Sequence, residues 1–301
     1  MRDRASTLRT AAALTAVVGL GTGLGLPATA RARVQPRRWE VTVAVRVEGE
    51  TKKPVTVRLA LPLPESVREV SDLEIAPRGL SPEVVGGGEA PHVTFSGSVR
   101  KPRRIAVAYV VETTRPSRPF PQILPVADPA PEIVPYLAPA RLFQSRSILV
   151  REFLETHVGP KVTAGGANLF QAILEATRQE LAWRGDGRSL ALDVIRRRQG
   201  KRIGIERAFV TFLRCARIPA RFVEGVNLAS ATRRKRVFWT EVWADGAWWP
   251  VSASRGWVGN LPPSYVGLAR DGDRVVVVDG PAAAAYVVTA HPVREETGDG
   301  T

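Results

Sequence analysis

One helix followed directly by a strand and a tight hairpin constrains the fold of this chain more than any other feature. Apolar residues recur at helical spacing from Arg202 onward, and the turn Ile218-Pro219-Ala220-Arg221 ends the helix. Strands are predicted at 220–228, 236–244 and 247–252. Asp245-Gly246 joins the last two strands and is typical of two-residue hairpin turns. A helix that precedes an antiparallel sheet predicts an α+β domain.

This segment resembles two motifs of the transglutaminase-like superfamily. The run Leu213-Arg214-Cys215-Ala216-Arg217-Ile218-Pro219-Ala220-Arg221 is similar, without a gap, to the end of the family's nucleophile helix and the turn after it. The hairpin from Val237 to Ser252 resembles the family's His-Ala-Trp-x-Glu-Val strand and its Trp-x-Pro-x-Asp-Pro-Thr strand. The framework positions that match are Trp239, Glu241, Gly246, Trp248 and Pro250.

The resemblance implies a papain-like domain, over about 141–290, whose catalytic triad has been lost. In that family a Cys at the helix start acts with a His and an Asp on adjacent strands. Here Arg202 occupies the Cys position, Val237 the His position and Ser252 the Asp position. Residues 256–274 are further similar to the inactive transglutaminase-like domains that occur fused to seven-transmembrane segments. We therefore expect a catalytically inactive member of the superfamily.

No other residue is an evident substitute for the triad. The single cysteine, Cys215, lies thirteen residues after Arg202, which is about 20 Å along a helix, and we expect it to be a small buried hydrophobe. His92, His157 and His291 all lie outside the hairpin, although one could approach the cleft in space. The sequence contains no zinc-ligand spacing, GxGxxG or Walker A motif, so it predicts neither a metal nor a cofactor.

Residues 1–30 have the features of a secretory signal peptide. Arg2, Arg4 and Arg9 precede an apolar run over 11–26, and Ala28-Thr29-Ala30 offers a cleavage site. The run is short for a membrane span, which needs about 20 residues. We expect cleavage after Ala30 and a periplasmic or secreted protein of bacterial type, with a retained anchor as the alternative.

Two further regions separate the leader from the predicted α+β domain. Every odd position from Trp39 to Val47 is apolar, which is typical of a half-buried strand, and 38–113 is predicted to form an antiparallel, Ig-like β-sandwich. The Pro-rich segment 114–140 is predicted to be a linker or an extended strap. Further strands are expected at 274–279 and 285–289, and 291–301 is expected to be a disordered tail.

Charge limits the classes of partner. The net charge is +14, and removal of residues 1–30 takes away three Arg and one Asp and leaves +12. Such a surface attracts anions without specificity, and no recognition module accompanies it, so nucleic acid is not an expected partner. No integral membrane segment is expected after removal of the leader.

Two arginine-rich runs precede the former triad positions and suggest a ligand. Residues 196–202 enter the helix, and 233–236 enter the strand at Val237. A cation at a helix N-terminus is unfavourable, and a bound anion would offset that cost. The alternative is that Arg202 pairs with Glu206, four residues on. The candidate ligand-binding residues are Arg202, Glu206, Arg236, Trp239 and Glu241.

The function expected from these residues is non-catalytic binding of a peptide or an anionic cell-envelope component in the former active-site cleft. Two alternatives stay open. One is an active peptidase or acyltransferase that uses non-standard residues such as His157. The other is a structural scaffold in the cell envelope.

Overall fold

The structure is a computed structural model that describes residues 37–48, 54–76, 81–86, 90–98, 103–113, 119–163, 168–229, 236–279 and 283–293. Residues Pro36–Thr301 form one compact unit. The predicted signal peptide, the predicted tail after residue 293 and Arg233 to Lys235 lie outside the described residues. In the described part, no helix is both long and apolar enough to span a bilayer.

The strands and helices are numbered in chain order. The strands are β1 (Arg37–Glu48), β2 (Val55–Ala60), β3 (Glu69–Ala76), β4 (Ser81–Val85), β5 (His92–Gly97), β6 (Arg103–Thr113), β7 (Ala182–Trp183), β8 (Gln199–Gly200), β9 (Ala220–Asn227), β10 (Arg236–Ala244), β11 (Ala247–Ser252), β12 (Trp257–Val258), β13 (Tyr265–Arg270), β14 (Val276–Asp279) and β15 (Ala283–Pro292). The helices are α1 (Ile148–His157), α2 (Gly159–Thr163), α3 (Leu169–Glu180), α4 (Ala191–Arg197) and α5 (Arg202–Cys215), with 3₁₀ turns at Pro64–Ser66 and Val134–Tyr136.

The N-terminal region is strand-rich and has the character of a sandwich. One sheet has the order β15-β1-β6-β3, and the other has the order β14-β2-β5-β4. The alternate apolar residues of β1 and β6, such as Val43 and Val107, are buried in one core with Val57 and Phe95 of the other sheet. Strands β3 and β4 were not predicted, because most of their side chains are exposed and the two-residue apolar period is weak.

The last two strands belong to this N-terminal region. Strand β14 pairs with β2, and β15 pairs with β1 along ten residue pairs. Their place in the sequence predicts that both strands belong to the domain over 141–290, and the observed pairing corrects that prediction. Strand β15 also extends through His291 and Pro292, where the sequence analysis placed the start of a disordered tail.

The rest of the unit is the α+β domain that the sequence predicts. Its five-stranded sheet has the order β12-β11-β10-β9-β13, and α5 packs against β9 and β10. Phe209, Phe212 and Leu213 of α5 share a core with Phe222 and Val242 of the sheet. The hairpin turn is as expected, since Asp245 and Gly246 have φ values of 50° and 72°. The predicted α+β fold class is confirmed.

The Pro-rich segment from 119 to 140, which we call the strap, is packed on this domain. Ile123 and Tyr136 are buried. Arg217 donates hydrogen bonds to the carbonyl oxygens of Val126 and Ala127 at 3.1 and 2.9 Å. Of the two predicted alternatives, the described part of this segment is a strap rather than a free linker.

Candidate ligand-binding site

Helix α5 begins without a side-chain cap. Its N-cap residue is Lys201, whose ammonium group has no acceptor atom to offer, and no side chain caps the helix. The loop before α4 lies close to this end, because the amide of Lys201 donates to the carbonyl of Arg188 at 2.9 Å. A Cβ at Gly204 would lie 2.6 Å from that same carbonyl oxygen, so this close approach requires glycine.

Arg202, the first residue of α5, is half-buried at this end. Its Nη1 donates to the carbonyl oxygen of Ser254 at 3.0 Å. The guanidinium carbon lies 4.9 Å from the ring centre of Trp183, whose side chain is 55% exposed. Burial and then the nearby charge of Arg255 lower the pKa of Arg202. The start of α5 therefore presents a partly desolvated cation beside an exposed indole.

One turn further along α5, Glu206 is completely buried in a ring of neutral donors. Its Oε1 accepts from Ser252 Oγ at 2.6 Å, Ser254 Oγ at 2.7 Å and the Ser254 amide at 2.9 Å. Its Oε2 accepts from Thr240 Oγ1 at 3.1 Å. Burial raises the pKa of Glu206, and these hydrogen bonds oppose that rise without cancelling it.

The expected alternative of an ion pair between Arg202 and Glu206 is not what the structure shows. Among the described contacts the two side chains are joined through Ser254, whose carbonyl accepts from Arg202 and whose amide and hydroxyl donate to Glu206. The charge of Arg202 therefore has no direct carboxylate partner at this end of the helix.

The three residues predicted to occupy the triad positions, Arg202, Val237 and Ser252, are only partly brought together. Ser252 lies beside Glu206, one residue from the turn that Arg202 contacts. Val237 is buried in a separate cluster with Trp239, Tyr265 and Leu63. Leu63 comes from the N-terminal region, and its amide donates to the carbonyl of Gly267 at 2.9 Å. Val237 is thus covered by the loop after β2.

Glu241 and Trp239, two of the candidate ligand residues, are buried and bonded to other protein groups. Arg221 Nε donates to Glu241 Oε2 at 2.7 Å, and Trp239 Nε1 donates to Glu241 Oε1 at 3.3 Å. Arg221 also donates to Glu65 at 3.0 Å, and Arg270 binds the other oxygen of Glu65. Trp239, Glu241 and Arg221 lie beneath the surface, because the N-terminal region packs over this face of the sheet.

Arg236 is also engaged within the protein. Its Nε and Nη2 donate to the two oxygens of Glu224 at 2.5 and 2.7 Å. Its contacts share no residue with those of Arg202, and the rest of the second arginine run is not described. Of the five candidate residues, Arg202 is therefore the one that is both partly exposed and free of a direct acidic partner among the described contacts.

A polar cleft of about 590 Å³ adjoins the start of α5. Arg184, Arg188 and Arg197 line it, together with a single acid, Asp186. The amide of Arg184 donates to the carbonyl of Gly200, two residues before the helix, at 2.8 Å. This cleft extends the positive surface beyond Arg202.

Comparison with known proteins places this arrangement in a family. Residues 161–253, which contain α5 and the hairpin, match the family model of the Transglutaminase-like superfamily. This segment is a transglutaminase-like domain. No curated protein matches the chain.

Two solved structures resemble the chain. One is from Cytophaga hutchinsonii and is named "putative cysteine protease"; it is 18% identical, with a TM-score of 0.63 over 87% of this chain and 92% of that one. It shares the fold of both regions. The other is a protein from Parabacteroides distasonis named "putative protease", with 10% identity and a TM-score of 0.28 over 70% of this chain and 43% of that one. That score is too low to carry an argument.

His157 and Cys215 lie away from the start of α5, and His92 and His291 lie on strands of the N-terminal sheets. His157 is 3.5 Å from Glu180 and packs on Phe153, which stacks on Phe212. Phe212 is ten residues after Arg202, about 15 Å along the helix. Cys215 ends the helix, and burial raises the pKa of its thiol, although Arg151 opposes the rise. Within the described residues, no group of three or more His, Cys, Asp or Glu side chains could hold a metal ion.

The sequence marks no role for Trp183, Thr240 or Arg255, and it shows Ser254 only as a hydroxyl without an evident base. Trp183 lies on β7, a two-residue strand that pairs in parallel with β8, and no motif marks it. The two serines were visible in Ser252-Ala253-Ser254, but their carboxylate partner is 46 residues from Ser252 in sequence. Only the packing of α5 on the sheet brings them together.

Proposed function

We propose that this chain is an exported, catalytically inactive transglutaminase-like protein that binds a peptide or another anionic cell-envelope ligand at the start of α5. The uncapped helix N-terminus beside Arg202 carries the proposal. A helix of this length directs free N–H groups and a partial positive charge at that point. Lys201, Arg202 and Arg255 add full positive charges around it. A carboxylate or phosphate would accept these hydrogen bonds and offset the charge.

The surroundings suggest a ligand larger than a single anionic group. Trp183 offers an exposed ring beside Arg202, suited to an apolar group next to the anion. The arginine-lined cleft with Arg184, Arg188 and Arg197 could receive a second negative charge. A short acidic peptide or a muropeptide stem can supply both an apolar group next to the anion and a second negative charge.

Loss of catalysis is supported by the residues at the triad positions. A cysteine protease needs a thiolate favoured by a helix N-terminus or an adjacent base. Arg202 occupies that position in this chain, and Cys215 lies at the other end of the helix with a raised pKa. Val237 has no titratable group and is buried.

The test is an NMR titration of the protein with muropeptides and short acidic peptides. We expect saturable shifts at the start of α5 that disappear in Arg202→Gln and weaken in Trp183→Ala. The matched control is Arg58→Gln, on β2, which should bind as the wild type does. Affinity should fall as salt is added, because the attraction is between exposed charges. Shifts that persist in Arg202→Gln would exclude this site.

Export of the protein can be tested separately from ligand binding. When the full chain is produced in a bacterial host with a general secretion system, we expect a mature protein that begins at Arg31, identified by N-terminal sequencing. A product that retains residues 1–30 in the membrane fraction would favour an anchor.

A second candidate function, acyl transfer by Ser254, is favoured by one contact. Ser254 Oγ is half-buried and lies 2.7 Å from Glu206 Oε1, which is the spacing of a hydroxyl nucleophile and a base. A fluorophosphonate probe that labels the wild type but not Ser254→Ala would support this function. If the peptides are recovered intact from the NMR titration and the probe does not label the protein, acyl transfer is excluded and binding is the function that remains.

A further inference from the structure

A second cleft, of about 620 Å³, lies at the opposite end of α5 from Arg202. The strap forms one side of it, and α1, the residues just before α1 and the end of α5 form the other. Arg202 and Cys215, which lines this cleft, are thirteen residues apart, about 20 Å along the helix. The cleft is therefore a separate place from the site proposed above.

The wall formed by the strap is apolar and is held in place by arginines. Val134 and Leu137 line it, and the Val134 side chain is 46% exposed. Arg214 donates to the carbonyl oxygen of Ala138 at 3.2 Å, and Arg217 donates to two carbonyls of the strap further upstream. Because these bonds fix the strap at both ends of the cleft, the apolar wall is preformed.

The facing wall is cationic. Arg146, Arg151, Arg214 and Arg217 line the cleft, and no Asp or Glu does. Arg214 is neutralised by Asp271 at 2.8 Å, but the described contacts give the other three arginines no acidic partner. Converging positive charges without a counter-charge repel one another, and a bound anion would relieve that repulsion.

We propose that this cleft binds an amphipathic carboxylate, in which Arg146 and Arg151 hold the head group and the strap covers an alkyl chain. Arginine forks match the two oxygens of a carboxylate, and burial of each methylene against Val134 and Leu137 adds affinity. A purely polar anion would leave the apolar wall exposed, and a neutral amphiphile would leave the charges unpaired.

Isothermal titration calorimetry of the full chain with decanoate, below its critical micelle concentration, tests the proposal. We expect saturable binding of one decanoate, and binding of acetate or decyl maltoside at least about ten-fold weaker. The double variant Arg146→Gln/Arg151→Gln should bind decanoate at least about ten-fold more weakly. Val134→Asp should also weaken binding, because it places a negative charge on the apolar wall.

Arg58, an exposed arginine on β2, provides a matched control for the loss of charge, and Arg202 distinguishes this cleft from the first site. Arg58→Gln, on β2, and Arg202→Gln, at the far end of α5, should leave the affinity for decanoate within about two-fold of the wild type. If Arg202→Gln weakens decanoate binding as much as the double variant does, decanoate occupies the first site and the cleft proposal is wrong. Equal affinity in the wild type and the double variant would also overturn it.

Cys215 locates the bound ligand, since it is the single cysteine of the chain and lines the cleft. Saturating decanoate should slow alkylation of its thiol by iodoacetamide several-fold in the wild type and not in the double variant. Acidic peptides that bind at Arg202 should leave the alkylation rate unchanged. Protection by decyl maltoside equal to that by decanoate would show apolar binding alone and contradict the proposal.

Discussion

The five-stranded sheet buries carboxylates on both of its faces and satisfies them by different means. On the face toward α5, Glu206 is held by two serines and a threonine, all neutral donors. On the face toward the N-terminal region, Glu241 and Glu65 are held by Arg221 and Arg270. Thr240 and Glu241 are neighbours in β10, and alternation along the strand sends them to opposite faces.

The two arrangements move the pKa of a carboxyl group in opposite directions. Burial raises the pKa of Glu206, because no cation compensates for the lost hydration. Burial also acts on Glu65, but the charges of Arg221 and Arg270 outweigh it and hold its pKa below the ordinary value. Burial among neutral donors therefore raises the pKa of a carboxyl group on one face, and ion pairing lowers the pKa of one on the other.

The largest change in stability should come from removing Arg221, the cation beside Glu241 on the face toward the N-terminal region. Among the described contacts, Arg221→Leu leaves the buried Glu241 with Trp239 as its one side-chain donor. We expect the free energy of unfolding to fall by about 3–5 kcal/mol, which is typical when one partner of a buried ion pair is lost. Urea denaturation measures the change, and Arg58→Leu, on the exposed side of β2, should change it by less than about 0.5 kcal/mol.

The double variant Arg221→Leu/Glu241→Leu sharpens that result. Because the unpaired charge has been removed with its partner, this variant should be more stable than Arg221→Leu alone. If the double variant is less stable than the single variant, the cost of Arg221→Leu comes from lost packing against Trp248, which lies 4.0 Å from its guanidinium carbon.

Glu206→Gln should alter how the free energy of unfolding changes as pH rises above about 4.5. The pKa of Glu206 is higher in the folded state than in the unfolded chain. Its contribution to stability is therefore present below a pH of about 4.5 and is lost as the pH rises through the pKa of the folded state. The variant cannot ionise. Its stability relative to the wild type should increase as pH rises from about 4.5 and then level off, as measured by denaturation across the pH range. A constant difference would mean that Glu206 has an ordinary pKa.

Glu65→Gln should change the pH dependence of stability in the opposite direction and by a smaller amount. The pKa of Glu65 is lower in the folded state, so its contribution is present above about 4.5 and lost as pH falls through the folded value. The wild type should exceed the variant in stability near neutrality, and the two should converge in acid. The effect is the smallest because the Glu65 side chain is 35% exposed, and solvent screens its ion pairs. Divergence in acid would contradict the assigned ion pairs.

Much of the transglutaminase-like domain could be predicted from local patterns. Helix α5, strand β10 and the Asp245-Gly246 turn follow from helical spacing, alternation and turn chemistry. The domain boundary near residue 290 could not be predicted in the same way. The pairing of β15 with β1 joins residues more than 230 positions apart, and an alternating strand carries no signal that names its partner.

The site was less predictable than the fold. The sequence directed attention to Arg202 because of the motif register, but it also nominated Trp239, Glu241 and Glu206, which the structure buries. A match at a framework position of the hairpin does not show whether the side chain is buried for packing or exposed for binding, and here Trp239 and Glu241 are buried. Whether Arg202 meets Glu206 or Ser254 depends on side-chain geometry that the spacing of four residues cannot decide.

The position of β15 also has a consequence for biosynthesis. Residues 276–292 supply an edge strand to each sheet of the N-terminal sandwich, so neither sheet can be complete until this late segment has left the ribosome. Until then β1 and β2 each present an unpaired edge, which another chain could join. If the chain is exported, as proposed above, and crosses the membrane unfolded, the sandwich would form only after residues 276–292 have crossed the membrane. No partly folded sandwich with unpaired edges would then be present inside the cell.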